Sequence, residues 1–288
     1  MPARIPFSVR LREPVGAVAE RHGWLVKGRA GWGEVSPLPG WGPEQVAAAE
    51  RAATEASARS FPPPIRTVVE VNAMVPRVAA GLAARMAIES GCRTVKVKVG
   101  DAGGEDRVRA VRDAVGAGVR IRLDANSTWD LDTAERQLRR LARLDIELIE
   151  DPVAGMEELA RLRRRQRVPI AAEMCIRTPS DGDRLRRLAA ADAVVLKPQR
   201  LGGVRAALRT AEAAGMPAIA SSALETSVGL AAVVALAASL PAGPFAHGVG
   251  TALLLAEDVT EDPLVPVGGF IAPRRVAPDA TRLRAAAG

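Results

Sequence analysis

Two lysines and three carboxylates recur along the middle of this chain at an interval that suits one strand plus one helix. Lys98 ends the run Thr94-Val95-Lys96-Val97-Lys98, and Asp124 ends Ile121-Arg122-Leu123-Asp124. Glu150 ends Leu148-Ile149-Glu150, Glu173 ends Ile170-Ala171-Ala172-Glu173, and Lys197 ends Val194-Val195-Leu196-Lys197. The successive gaps are 26, 26, 23 and 24 residues. A strand, a helix and two short loops need roughly 20–28 residues. Each residue alone has an ordinary reading. Lys96 and Lys98 share one strand face and would suit a solvated edge. Asp124 would suit a helix cap, and Glu150 a pair with an arginine. Five in step instead place lysines and carboxylates together at one end of a parallel barrel, where such enzymes keep their active sites.

The chemistry follows from the residue types. Asp124, Glu150 and Glu173 offer only oxygen, which suits a hard divalent cation. Mg²⁺ or Mn²⁺ is favoured over Zn²⁺, since neither His nor Cys joins the series. Lys98 and Lys197, on the second and sixth strands, would flank that metal from opposite sides of the barrel mouth. The arrangement suits removal of a proton next to a carboxylate. A lysine takes the proton, and the metal offsets the charge of the enediolate. A free lysine is mostly protonated at pH 7, and lowering its pKa by about 3 units needs roughly 4 kcal/mol. A second cation at about 4 Å, at an effective dielectric of about 20, supplies about that much. Lys96 is placed to be that cation for Lys98.

The elements that position these residues alternate from residue 65 onward. Strands are expected at 66–73, 94–99, 119–124, 147–151, 169–173, 193–197, 217–222 and 245–249. Helices are expected at 76–91, 105–115, 130–143, 156–166, 179–190, 203–214 and 226–240. Alternation of this kind argues a parallel sheet with helices outside, and eight strands close a barrel. The fold class is α/β, a (β/α)7β TIM-like barrel over 65–256. Residues 1–64 differ: strand-like runs at 5–11, 15–21 and 24–29, a Gly-Pro-rich loop at 31–41, and an alanine-rich helix at 43–58 opened by Pro43. Pro62-Pro63-Pro64 is a stiff linker. This small α+β unit would cap the barrel, completed by the C-terminal segment from about 257 to 288, of which 263–277 reads as extended.

A chain of 288 residues fits one barrel plus a small addition. Hydrophobic residues make up 48% of it, which leaves ample core. The formal charge of +7 raises the question of nucleic acid. The arginines, however, are spread over many helices and are not interleaved with aromatics, so solvated helix faces are expected and no nucleic-acid partner. Two cysteines give no disulfide framework, and Cys175 reads as a small apolar filler. The first six residues lack an apolar signal core, so a cytoplasmic protein is expected. The uncharged stretch 227–240 is shorter than the ~20 residues a membrane span needs, so it reads as a helix buried in this chain or under a neighbouring subunit.

With those residues in place, the chain resembles the muconate-lactonising subgroup of the enolase superfamily over nearly its whole length. The resemblance rests on Lys96-Val97-Lys98, Asp124-Ala125-Asn126, Glu150-Asp151-Pro152, Ala172-Glu173-Met174-Cys175-Ile176-Arg177 and Lys197-Pro198. Within the subgroup, four further stretches resemble the o-succinylbenzoate synthase family: Gly33-Glu34-Val35-Ser36-Pro37-Leu38-Pro39-Gly40, Val71-Asn72-Ala73-Met74-Val75-Pro76, Ser221-Ser222-Ala223-Leu224-Glu225-Thr226, and His247-Gly248-Val249-Gly250-Thr251. That resemblance implies dehydration of a small cyclohexadiene carboxylate. Mg²⁺ would sit on Asp124, Glu150 and Glu173, Lys98 would be acid and base, and Lys197 a stabilising cation. Asn126, Ser221, Ser222, Gly248 and Gly250 would line the substrate site. The chain departs from the subgroup in one ligand, where Glu173-Met174-Cys175 replaces the usual Asp-Glu-Ser, and in a short capping unit. The same lysines would also serve an N-acylamino acid racemase or a muconate cycloisomerase. A dipeptide epimerase is disfavoured, because 247–251 carries no carboxylate to hold an ammonium group.

Overall fold

The computed structural model describes residues 4–286. The outermost residues of the expected capping unit, 1–3 and 287–288, lie outside them. The chain opens with an antiparallel meander, β1 (Arg4–Val15), β2 (Val18–Gly28) and β3 (Gly31–Val35), followed by helix α1 (Pro43–Ala58). Two sequence expectations are corrected here. The runs at 15–21 and 24–29 are not separate strands, because β2 passes straight through Arg21, His22 and Gly23 while pairing with β1. The expected loop at 31–41 begins with a strand. Its glycines read as a turn, but Gly33 serves close packing: a Cβ there would come within 2.1 Å of the Ala53 carbonyl oxygen. Helix α1 therefore rests on the β3 backbone through its alanine face, Ala49 and Ala53. Pro43 occupies its first turn, and the Gln45 side chain accepts the Gly42 N–H.

The barrel strands are β5 (Asn72–Val75), β6 (Thr94–Lys98), β7 (Arg120–Asp124), β8 (Ile146–Glu150), β9 (Ile170–Ala172), β10 (Ala193–Leu196) and β11 (Ala218–Ala220). They form one parallel sheet in chain order. Helices α2 (Ala80–Glu89), α3 (Gly104–Val115), α4 (Leu131–Leu141), α5 (Met156–Arg163), α6 (Pro179–Leu188), α8 (Val204–Ala214) and α9 (Ser227–Ser239) follow the strands. A short helix α7 (Pro198–Leu201), absent from the sequence reading, sits between β10 and α8. The first barrel strand starts later than residue 66. The preceding β4 (Val69–Glu70) pairs instead with β12 (Phe270–Ile271) from the tail.

The eighth strand is reduced to a seam. Around His247 and Gly248 the chain makes isolated parallel bridges to Val71 and to Ser221. The His247 N–H donates to the Glu70 carbonyl at 2.8 Å and the Gly248 N–H to the Ala220 carbonyl at 2.8 Å, so the ring closes. The composition explains why the strand is this short. Pro244 lacks a donor. At Gly248 the chain passes so close to β11 that a Cβ would lie 2.7 Å from the Ser221 hydroxyl.

The uncharged helix α9 is buried within this chain, packed against β3, α7 and α8. Among the described residues no helix is long and apolar enough to cross a membrane. The tail returns to the N-terminal meander: the Ala256 N–H donates to the Arg10 carbonyl at 2.8 Å, and Arg275 stacks 4.1 Å from the Phe61 ring. Helix α10 (Ala280–Ala286) ends the described chain beside β1.

Candidate active site

Parallel pairing puts the charged residues side by side. Lys98 is the register partner of Asp124, and Asp124 of Glu150. Glu173 follows β9 directly and Lys197 follows β10 directly, so five successive strands deliver one functional residue each at the same end. Side chains two apart in a strand share a face, which brings Lys96 inward beneath Lys98.

The carboxylates are almost fully buried, with Asp124 1% exposed, Glu150 3% and Glu173 4%. Each is held by cations. Lys98 Nζ lies 2.6 Å from Asp124 Oδ2, and Lys96 Nζ lies 3.0 Å from both Asp124 Oδ2 and Glu150 Oε2. Lys197 Nζ lies 2.7 Å from Glu173 Oε2, and the Arg200 guanidinium holds Oε1. Lys98 also donates to Asn126 Oδ1 at 2.9 Å. Below the carboxylates, buried Asp151 accepts the Glu173 and Met174 N–H groups and fixes the turn after β9.

These surroundings divide the ionisable groups. Burial pushes the Lys98 ammonium below its ordinary value; Asp124 opposes that and Lys96 adds to it. Desolvation is thus the larger cause, and the Lys96 charge a smaller one. Burial also disfavours charge on Lys96 and on Lys197, but the carboxylates outweigh it and hold both above the lysine range. Burial raises the Asp124 and Glu173 carboxyls, and their lysine partners, with Arg200 at Glu173, bring both below the usual range. Glu150 stays raised, through burial and the charge of Asp124. Burial pushes the Cys175 thiol up to about 12, so it is a packing group.

The lysines, not the carboxylates, line a cavity of about 340 Å³ at this end of the barrel. Lys96, Lys98, Lys197, Asn126, Ser221, Ser222 and Gly248 all reach it. Gly250 does not: it packs against Val71, where a Cβ would meet Val71 Cγ1 at 2.9 Å. Sequence reasoning missed several groups. Val15, Gly16 and Val18 at the β1–β2 turn, with Leu38, cover the cavity from the meander. Asn72, Met74 and Arg77 extend from β5, and Thr251 bonds the Ser222 hydroxyl at 2.5 Å. None of them ends a run in the charged series, so spacing could not find them. Arg200 lies one turn after Lys197 and needed only the recognition that Pro198 opens a helix there.

The meander and barrel meet in a second buried polar cluster. Glu34 accepts hydrogen bonds from Ser36 Oγ, Thr226 Oγ1 and the Thr226 and Gly229 N–H groups. Arg21 donates to the Ser36, Pro37 and Leu224 carbonyls. Burial raises Glu34 to about 7 even with its hydroxyl donors. Arg21 at the Leu224 carbonyl and Glu225 at the Ala223 N–H fix the loop Ala223–Leu224, which forms part of the cavity wall.

Comparison with known proteins gives this arrangement its context. Residues 79–279 match the family model "Enolase C-terminal domain-like" and residues 3–57 "Enolase N-terminal domain-like". The o-succinylbenzoate synthase of Thermobifida fusca (strain YX) is 50% identical over 282 residues, covering 96% of this chain and 89% of that protein. The chain belongs to the o-succinylbenzoate synthase family of the enolase superfamily. Another member of the family, from Mycobacterium ulcerans (strain Agy99), is 41% identical over 98% of this chain and 86% of that protein. Among solved structures, 2-chloromuconate cycloisomerase from Rhodococcus opacus 1CP matches with a TM-score of 0.86 at 21% identity, covering 99% of this chain and 98% of that one. L-Ala-D/L-Glu epimerase from Bacillus subtilis matches with a TM-score of 0.81 at 21% identity, over 96% and 97%. These two likenesses establish the shared barrel-and-cap fold.

Enolase-superfamily enzymes generally use Mg²⁺. The donor set suits it: three oxygen-only side chains, buried on neighbouring strand ends. As the side chains stand, no three His, Cys, Asp or Glu among the described residues are grouped as metal ligands. The carboxylate oxygens rest instead on ammonium and guanidinium groups, with which a divalent cation would share them.

Proposed function

We propose that this chain is a cytoplasmic o-succinylbenzoate synthase. It removes water from 2-succinyl-6-hydroxy-2,4-cyclohexadiene-1-carboxylate to give o-succinylbenzoate, in the formation of menaquinone. The observation that carries the reading is the meeting of Lys98 and Lys197 in one cavity, from strands on either side of those that bear the three carboxylates. Relatives of that name at 50% and 41% identity support the substrate.

Lys98 Nζ takes the proton from the ring carbon that bears the carboxylate. The ring C–OH bond then breaks, and the hydroxyl leaves with that same proton as water while the ring becomes aromatic. One base does both transfers. Lys197 faces the other side as an ammonium group held by Glu173 and stabilises the anion by its charge. Asn126 and Asp124 orient Lys98. Asp124, Glu150 and Glu173 would hold Mg²⁺, with Mn²⁺ as a substitute of the same ligand preference. When bound, the metal supplies positive charge next to the substrate carboxylate as it gains electron density.

The opposed lysines would also serve a racemase, which needs a base on each face of the α-carbon. Lys197→Arg and Lys197→Ala, assayed for dehydration and for α-deuterium exchange on an N-succinylamino acid, separate the two. Lys197→Arg should retain measurable dehydration, because the charge persists, and Lys197→Ala should lose about a hundredfold or more. A parent enzyme that exchanges and inverts the amino acid efficiently while leaving the cyclohexadiene untouched overturns the synthase reading.

A further inference from the structure

The cavity is lined by four cationic side chains, Lys96, Lys98, Lys197 and Arg77, and by no carboxylate. Three of the four are neutralised beneath the surface: Lys96 by Asp124 and Glu150, Lys98 by Asp124, and Lys197 by Glu173. Arg77 differs. It stands two residues beyond the end of β5, exposed to solvent, and makes no ion pair among the described residues. A nearby carboxylate, Asp101, has both oxygens taken by Arg107, at 3.0 and 2.9 Å. The Arg77 guanidinium instead reaches toward Gly100, its Nη2 3.4 Å from where a Cβ would sit. That places it at the rim over the ends of β5 and β6.

The order of strands sets what Arg77 can meet. The three carboxylates occupy the ends of β7, β8 and β9. A ligand with one carboxylate directed at that side extends its remaining atoms toward β11, the seam at Gly248, and β5. Across that wall the polar groups are Asn72, Ser221, Ser222 and Thr251, all neutral, and the Ser222 and Thr251 hydroxyls already bond each other. Arg77 is anchored just past β5 on that wall and is the one cation lining the cavity without an ion pair among the described residues, its guanidinium lying toward the β6 end. A guanidinium presents a planar fork that fits a carboxylate.

We propose that Arg77 is a specificity-determining residue that receives the second carboxylate of a dicarboxylate substrate, at the far end of its side chain. The proposal rests on the synthase reading for the identity of that substrate. Arg77 touches neither the reacting carbon nor the leaving hydroxyl, so it acts on binding.

The test compares two ligands in the presence of Mg²⁺ by titration calorimetry: o-succinylbenzoate, and 2-butyrylbenzoate, in which a methyl group replaces the distal carboxylate. The parent should prefer o-succinylbenzoate by about tenfold or more, the range of a charged hydrogen bond. In Arg77→Met the preference should fall to within about threefold, and Arg77→Lys should restore part of it. In turnover, Arg77→Met should raise KM by about tenfold and leave kcat within about threefold. Arg77→Met retaining the parent's preference overturns the proposal, as does a parent that binds both ligands alike. A parent that shows the preference and its loss in Arg77→Met, yet fails to dehydrate the cyclohexadiene, upholds Arg77 as the carboxylate contact and removes the synthase reading instead.

Discussion

Lys98 sits in a contradiction that defines its role. It is hydrogen-bonded to a carboxylate at 2.6 Å, which favours its charge, and buried beside Lys96, which disfavours it. The net displacement is downward, so burial makes Lys98 hold its proton less tightly than a free lysine, the direction a general base needs. Lys98→Ala should lower kcat by at least about a thousandfold, within the range of a lost general base. Lys98→Arg should fail as badly, since a guanidinium stays protonated at working pH. Circular dichroism should show both variants folded. Turnover within tenfold of the parent would remove Lys98 from the role. At this scale the sequence was informative where spacing carries the signal. Lys98, Asp124, Glu150, Glu173 and Lys197 fall on a repeating interval, and the structure places all five at one barrel end. Arg77, Asn72 and Thr251 carry no such signal, because their relation to the cavity depends on how loops lie across strand ends. Gly250 is expected in the site through the resemblance of 247–251, but it packs against Val71.

The elements were legible wherever apolar runs alternate with helices, and illegible where glycine does a packing job. Gly33 lets α1 lie on β3, and the same residue made a strand read as a loop. Gly248 and Pro244 shrink the eighth strand to a seam that only tertiary hydrogen bonds reveal. His247 belongs to that seam. Its Nδ1 accepts the Ala220 N–H at 3.1 Å, so the ring must be neutral. Burial lowers its pKa from 6.5 to about 3, with Arg66 and Arg122 adding to the effect. As pH falls, the unfolded chain takes up this proton first. The contribution of His247 is therefore complete above about pH 6.5 and is lost as pH drops toward 3. His247→Asn keeps an acceptor for Ala220 and does not titrate. In urea unfolding, the stability advantage of the parent over His247→Asn should narrow between pH 7 and pH 4. An advantage that stays constant over that window would contradict the neutral, buried assignment.

For the molecule as a whole, the cavity needs both halves. The β1–β2 turn and Leu38 cover it from the meander, and the barrel supplies the charged floor. Glu34, Arg21 and Thr226 lock the two across a buried junction. The sequence pointed to a cap and a barrel through their different rhythms, but spacing held no signal for this junction, whose partners lie 192 residues apart in two of the stretches that carry the family resemblance. The central claim is that this assembled cavity dehydrates a cyclohexadiene dicarboxylate by metal-assisted proton removal. Its most direct test is the ultraviolet absorbance of 2-succinyl-6-hydroxy-2,4-cyclohexadiene-1-carboxylate mixed with the purified protein. With Mg²⁺ the diene absorbance should disappear catalytically and o-succinylbenzoate should accumulate in equal amount. Chelation should stop the loss, and fresh Mg²⁺ should restore it. Diene absorbance that persists in the presence of folded protein and Mg²⁺, or that decays equally after chelation, would contradict the account.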